Sequence, residues 1–284
     1  MKLSQHVNFP YMSILQISWD ASPEIFRIGN LAVRWYGLFW AMSFYLGYEI
    51  MFRIFKKEGI PLRQVDKLLL YMAAGSIIGA RLGHCFFYDF EYYIRNPLEI
   101  LMIWRGGLAS HGGAAGILLA LYYYQKKVSN QSFWWLLDRL VIPVALGAFF
   151  IRMGNLMNSE IYGIETSLPW GFIFEARGES VPKHPTQIYE GLVYLLLFLS
   201  LGWMYLKHSS RLKNGFMSAF FAIVMFSARF LVEFIKMDQS PFEAGMVLNM
   251  GQWLSIPLFL FGVYMIVRSW PSGNRPERPG DRPL

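Results

Sequence analysis

Three stretches of the chain combine residue types that do chemistry. The densest runs Arg152-Met153-Gly154-Asn155-Leu156-Met157-Asn158-Ser159-Glu160-Ile161-Tyr162-Gly163. Arg152, Asn155 and Asn158 recur every third residue and share one face if a helix continues through them. Glu160 follows at the mouth of that face, and Gly163 permits a turn. A guanidinium is a planar fork of donors that fits a phosphate; asparagines beside it add donors, or serve only to hydrogen-bond between helices. The second stretch centres on His111, with Gly106-Gly107 before it and Gly112-Gly113 after it. Glycine pairs allow close backbone approach and unusual dihedrals. A histidine held there can act as a general base near neutral pH, or be satisfied by a backbone carbonyl. The third gathers His184, Gln187, Tyr189 and Glu190. Arg81 with His84, and Arg229 with Glu233, complete the set. Glu233 is one turn from Arg229 and can neutralise it as an i,i+4 pair. His84 reads as structural, and His184 fits a binding or a structural role. Cys85 reads as a small packing residue.

The elements that carry these residues must lie in a bilayer. The 284 residues are 55% hydrophobic and only 16% charged, against about 25% charged in soluble domains. A helix needs about 20 mostly apolar residues to cross a hydrocarbon core. Seven stretches qualify: Leu31–Ile54, Leu68–Tyr88, Leu108–Tyr124, Leu136–Met157, Ile188–Leu206, Phe216–Ile235 and Trp253–Val267. A net charge of +7 would point to nucleic acid in a soluble protein. Here the basic residues crowd alternate loops: Arg53, Lys56, Lys57, Arg63 and Lys67; Lys126 and Lys127; Lys207, Arg211 and Lys213; and Arg268 onward. The positive-inside rule then sets the N-terminus outside and the C-terminus in the cytoplasm. The expected fold is an all-α integral membrane protein of about seven transmembrane helices. Residues 1–30 form an extracytoplasmic interfacial segment, residues 31–268 the transmembrane catalytic domain and residues 269–284 a disordered cytoplasmic tail. The loop 158–186, between the fourth and fifth spans, is long enough to form a small extracytoplasmic cap. One cysteine leaves no disulfide framework and no Cys-rich metal site. No basic region, apolar stretch and cleavage site open the chain, so the first span is expected to insert uncleaved.

Charged side chains inside spans cost roughly 2.5–3.5 kcal/mol each at the helix centre. Counted from the inner ends of their spans, Arg81, Arg152 and Arg229 all lie about 13–16 residues along, or about 20–24 Å deep. His111 and Glu190 start inward-running spans, and Arg34 and Tyr36 start the first, so one outer layer holds nearly every buried polar group; Glu49 is the exception. One arginine near a helix end can simply snorkel to the interface. Three at one depth repel one another unless an anion sits among them, and in an outer leaflet that anion is a phospholipid phosphate. On charge alone, a transporter or flippase of an anionic lipid fits as well as an enzyme. Transporters, though, tend to bind near the midplane between repeats.

The same stretches resemble the prolipoprotein diacylglyceryl transferase family, whose signature reads G-R-x-G-N-F-x-N-x-E-x-x-G. Arg152 to Gly163 matches it, with Phe150 or Ile151 in place of the leading glycine and Leu156 in place of the aromatic residue. Arg34-Trp35-Tyr36-Gly37, Gly79-Ala80-Arg81-Leu82-Gly83, His111-Gly112-Gly113, His184 to Glu190, Arg229 to Phe234 and Met250 to Ser255 match further blocks in order. Two departures stand out. Met225 occupies the position of a common tyrosine, whose hydrogen bond either comes from another group such as Tyr189 or Ser227 or is dispensable, and Ser110 precedes the histidine where an aromatic is usual. The resemblance implies transfer of the diacylglyceryl group of phosphatidylglycerol to the thiol of a preprolipoprotein lipobox cysteine, releasing glycerol 1-phosphate. No cofactor, metal or nucleic acid is implied. The partners are the two substrates and the lipid bilayer of the bacterial cytoplasmic membrane. The implied catalytic residues are His111, Arg152, Arg229 and Glu160. Tyr36, Arg81, Asn155, Asn158, Gly163, His184, Gln187, Tyr189, Glu190 and Glu233 are the implied substrate-binding residues.

Overall fold

The structure is a computed structural model that describes residues 17–29, 31–237 and 245–269. The expected tail lies outside these residues except for Ser269, as do residues 1–16 of the interfacial segment. Long helices run over Trp35–Lys57 (α1), Arg63–Phe87 (α2), Ser110–Lys127 (α4), Phe133–Met157 (α5), Thr186–His208 (α6), Phe216–Val232 (α7) and Met250–Ser269 (α8). A short helix, α3 (Phe90–Arg95), and two 3-10 turns, Pro97–Leu101 and Ile103–Arg105, join α2 to α4. Each expected span thus overlaps a long helix, although the first four residues of the first span, Leu31–Arg34, form a strand. Five of them (α2, α5, α6, α7 with its 3-10 extension, and α8) are long and apolar enough to cross a membrane. The two that are not carry more polar groups: Glu49, Arg53, Lys56 and Lys57 in α1, and Gln125, Lys126 and Lys127 in α4.

The all-α expectation needs one correction. Strands Ile17–Trp19 (β1), Glu24–Ile28 (β2), Leu31–Arg34 (β3) and Phe172–Phe174 (β4) form two two-stranded pairs. β1 lies parallel to β4, Ile17 opposite Phe172 and Trp19 opposite Phe174, so residues just before α1 fold together with the loop that follows α5.

By contacts the chain divides into two compact units. The first comprises the described residues within 17–45, 144–199 and 222–260. Its small core is Leu156, Phe172 and Phe174, covered by Trp19, Tyr162 and Ile188. Tyr162 stacks on Phe174 at 4.6 Å, and the Trp19 indole N–H donates to Leu156 O at 3.1 Å, so the ring buries its face while its polar edge stays bonded. α8 begins with a reciprocal cap. Asn249 Oδ1 accepts from Gln252 N at 3.0 Å, and Gln252 Oε1 accepts from Asn249 N at 3.1 Å.

The second unit comprises residues 46–143, 200–221 and 261–269. Its α2 and α4 run antiparallel along facing stripes of small residues: Gly75, Gly79 and Gly83 against Gly112, Gly116 and Ala120. A Cβ on Gly75 would come within 2.6 Å of Ala120 Cβ, and one on Gly83 within 2.7 Å of Gly112 Cα. Small residues let the two backbones touch, the usual way helices associate where apolar burial gives no driving force. The expectation of a single polar layer fails in this unit. Asp138 and Arg139, at the start of α5, are 2% and 8% exposed. Asp138 caps α7 by accepting from Gly215 N at 2.7 Å, Ser218 N at 2.8 Å and Ser218 Oγ at 2.6 Å. Arg139 pairs with both oxygens of Glu58 at 3.1 Å and lies 4.2 Å above the Trp135 ring.

Candidate active site

The polar centre of the first unit is built on the end of α5, the start of α6 and the end of α7. Arg152 projects from the last turns of α5 toward the first turns of α6, where its Nε is 2.9 Å from Glu190 Oε2, an ion pair without hydrogen-bond alignment. Its Nη1 donates to Asn155 Oδ1 at 3.1 Å. Asn155 passes the polarity on, because its Nδ2 donates to Glu160 Oε1 at 2.8 Å. Asn158 Nδ2 donates to the same oxygen at 3.2 Å. The expected face of Arg152, Asn155 and Asn158 therefore exists, and Glu160 closes it. The Tyr36 ring packs against Gly154, where a Cβ would meet its Cδ2 at 2.8 Å, and it lies within electrostatic reach of Arg152 and Glu160.

Glu190 is fully buried. Its other oxygen accepts from Lys236 Nζ at 3.1 Å, and Lys236 also binds Glu233 Oε2 at 2.8 Å. This changes the expected pairing of Arg229 with Glu233. The chain tightens from α-helix to 3-10 at Glu233–Ile235, which turns residue i+3 rather than i−4 toward Glu233. Glu233 also abuts Gly251 in the first turn of α8, where a Cβ would lie 2.7 Å from its carboxyl carbon. The positive end of that helix suits a carboxylate. Arg229 is left out of these pairs. Among the described residues its Nε is buried without a hydrogen-bond partner, close enough to act electrostatically on Glu190 and Tyr194. Arg152, Arg229 and Lys236 thus gather around Glu190 and Glu233, with Glu160 reached through Asn155, and among the described residues the guanidinium donor left over is Arg229 Nε. An anion with several acceptor oxygens fits that remainder.

Gly163 has no positive φ, so its absent side chain makes room rather than a turn. A Cβ there would lie 2.7 Å from His184 Cβ and 2.9 Å from Thr186 Cγ2. His184 and Tyr189 belong to a separate chain of contacts: Trp170 Nε1 donates to Tyr189 Oη at 2.9 Å, which is 3.2 Å from His184 Nδ1. Burial holds the His184 imidazole below the ordinary histidine range. Gln187 donates to Glu160 O at 2.8 Å. Arg34 is exposed.

Arg81 and His111 belong to the second unit. Arg81, 3% exposed, donates to the carbonyls of Ile100 at 2.9 Å, Gly106 at 2.6 Å, Gly107 at 3.2 Å and Glu99 at 2.5 Å, and lies over the Tyr93 ring at 4.9 Å. Its fork is occupied by the loop that leads into α4. Gly106 and Gly107 take φ values of +86° and +71° there, and His84, paired with Asp89 at 3.2 Å, packs against Gly107. His111 is half-buried in the first turn of α4.

Two central residues escape sequence reasoning. Lys236 reads as the charge that ends an apolar run, although its spacing of three from Glu233 is a usable signal. Tyr194, 3% exposed, sets its hydroxyl 3.4 Å from Glu190 Oε1, one turn away, and within reach of Arg152 and Arg229.

The family model for prolipoprotein diacylglyceryl transferase matches residues 23–268. A phosphatidylglycerol–prolipoprotein diacylglyceryl transferase of Chloroherpeton thalassium is 47% identical over 253 residues, covering 89% of this chain and 94% of that one. Enzymes of the same name from Tolumonas auensis and Porphyromonas gingivalis are 45% and 42% identical, over 88% and 89% of this chain and 96% and 94% of theirs.

Proposed function

The chain belongs to the prolipoprotein diacylglyceryl transferase family, and from its site we infer how it performs that transfer. It is a multi-pass membrane transferase that moves the diacylglyceryl group of phosphatidylglycerol to a prolipoprotein, the first step of lipoprotein maturation. The lipobox cysteine sulfur attacks the glyceryl carbon that bears the phosphate. The S–C bond forms as the C–O bond to phosphate breaks, and glycerol 1-phosphate leaves with both electrons of that bond. The thiol proton passes to a base, because the thiolate is the nucleophile.

The observation that carries this reading is Arg229 Nε, buried without a hydrogen-bond partner among the described residues, beside the paired cations Arg152 and Lys236. A phosphodiester brings one negative charge, and its departure as a monoester adds a second. Donors fixed in advance favour the more charged state, which is the leaving state. Arg229 and Arg152 hold the phosphate in this proposal, with Asn155 fixing the Arg152 fork and Glu160 fixing Asn155. Tyr36 borders the same residues. Glu190 and Glu233 keep the cations in place and are not themselves phosphate ligands. His111 takes the thiol proton, a role that rests on its resemblance to the family's histidine. Arg81 orders the loop before α4 rather than meeting lipid, since backbone carbonyls occupy its donors.

The membrane arrangement proposed with it has seven spans, the N-terminus outside and the C-terminus in the cytoplasm of a cell with this site toward the outer face of the inner membrane. Basic residues close α1, α4, α6 and α8, the four helices that run inward in that arrangement. The test uses purified protein in micelles with phosphatidylglycerol and a lipobox peptide, following glycerol phosphate release. Release must require the peptide thiol and Arg152. Arg152→Ala is expected to abolish it, and His111→Gln to suppress it least where high pH has already ionised the thiol. Release that persists with a serine in place of the peptide cysteine would refute the thiol-transfer reading.

A further inference from the structure

The bend that carries Glu160 is unusual. α5 ends in a Schellman motif, with Glu160 N donating to Asn155 O and Ser159 N to Leu156 O, both at 3.0 Å. That motif needs a left-handed residue, for which glycine is the ordinary choice. Here Ser159 takes it at φ +50°, buried to 1% exposure with no partner for its hydroxyl among the described residues. Two residues on, β-branched Ile161 is left-handed too, at φ +60°. Non-glycine residues persist in such conformations only where their surroundings over-determine them.

The surroundings do so with one side-chain donor for each of four successive carbonyls. Arg177 Nη2 donates to Asn158 O at 3.0 Å, and Arg177 Nε to Ser159 O at 2.9 Å. Gln187 Nε2 donates to Glu160 O, and Thr186 Oγ1 to Ile161 O, both at 2.8 Å. Thr186 and Gln187 are completely buried at the start of α6, and Arg177 ends the 3-10 turn that follows β4. We propose that Arg177, together with Thr186 and Gln187, clamps the 158–161 bend in its left-handed form and so aims the Glu160 carboxylate at Asn155 and Asn158, making Arg177 a positioning residue for the transfer. The fork geometry of a guanidinium is what lets one side chain take two adjacent carbonyls; an ammonium is a point donor. The assignment rests on the site reading above.

The experiment reads the bend and the reaction separately in the full-length protein in micelles. Amide exchange over residues 156–163 reports the bend, and glycerol phosphate release from phosphatidylglycerol and a lipobox peptide reports the reaction. Arg177→Ala is expected to speed exchange at Ser159 and Glu160 and to lower kcat about tenfold, with a smaller change in KM for the lipid. Arg177→Lys should lose a comparable amount, and it carries the test if the alanine variant does not fold. Adding Ser159→Gly removes the strain that the clamp opposes, so the double variant should recover most of kcat. A bracing role in the cap alone would not respond to that glycine. Unchanged exchange in both Arg177 variants, or a double variant as slow as the single, overturns the proposal. Faster exchange in a protein whose wild type releases no glycerol phosphate would uphold the clamp and sink the site reading instead.

Discussion

The two units each bury a cluster of charge, and they finish it differently. In the second unit Asp138 receives three donors from the start of α7, Arg139 grips both oxygens of Glu58, and Arg81 is held by four carbonyls. Among the described residues, the buried polar atoms left without a partner there, Gln64 Oε1 and Tyr205 Oη, belong to neutral groups. In the first unit the cluster around Glu190 stays open among the described residues, with Arg229 Nε and Glu190 Oε2 both buried without a hydrogen-bond partner. Burying an unpaired charged donor is expensive. A cluster that serves only the fold closes on itself; one that serves a ligand keeps a place open. The comparison separates arginines that hydropathy and depth make equivalent.

That difference predicts opposite phenotypes, and the largest is at Arg229. Arg229→Ala should lower kcat/KM by about 10²–10³-fold, as loss of one preorganised donor does. In lipid-free micelles it should leave the melting temperature unchanged or raise it, because the paired carboxylates keep Arg152 and Lys236. A large drop in melting temperature together with normal turnover would reverse the roles given to the two clusters. Asp138→Ala should behave the other way. It frees Gly215 N, Ser218 N and Ser218 Oγ in a buried site, a loss of about 3 kcal/mol. Thermal unfolding would show it, while glycerol phosphate release per folded molecule stays near wild type.

Sequence spacing made part of this contrast legible. Arg152, Asn155, Asn158 and Glu160 were readable because helical periodicity and a helix end determine who meets whom. The seven long helices were readable for the same reason, from apolar length. The fate of Arg81 was not, because its partners are backbone carbonyls in an irregular loop, and no side-chain pattern encodes those. Asp138 and Arg139 looked like charges near a span end, since only the fold brings Ser218 and Glu58 to them. The pairing of β1 with β4 joins segments far apart in the chain, with three residues each, too short for a periodic signal.

A finer test lies within the first unit, at Tyr194. Its phenol is the neutral member of the open cluster, beside Glu190 and in reach of both arginines. Tyr194→Phe keeps the ring and removes one hydroxyl, so it should slow turnover by about tenfold, the equivalent of one hydrogen bond of about 1.4 kcal/mol. Met225→Tyr in that background restores a phenol from α7, and recovery of turnover would show that the two positions serve one function. Failure to recover would confine the hydroxyl's role to Glu190.

The smallest effect separates His184 from the open cluster, although both lie in the same unit. Burial lowers the His184 pKa, and its Nδ1 meets Tyr189, which is held in turn by Trp170. The folded protein therefore binds a proton there less readily than the unfolded chain. Between the lowered folded value and the unfolded value near 6.5, the unfolded state carries more protons, so stability rises with pH. This contribution is complete above about pH 6.5 and shrinks as the pH falls toward the folded pKa. Melting temperatures between pH 7.5 and 5 should fall less in His184→Gln than in wild type, while turnover at pH 7.5 changes little in that variant. If turnover collapses instead while melting keeps its wild-type pH dependence, His184 belongs with Arg229 as a substrate contact, and the Trp170–Tyr189–His184 chain is part of the open cluster.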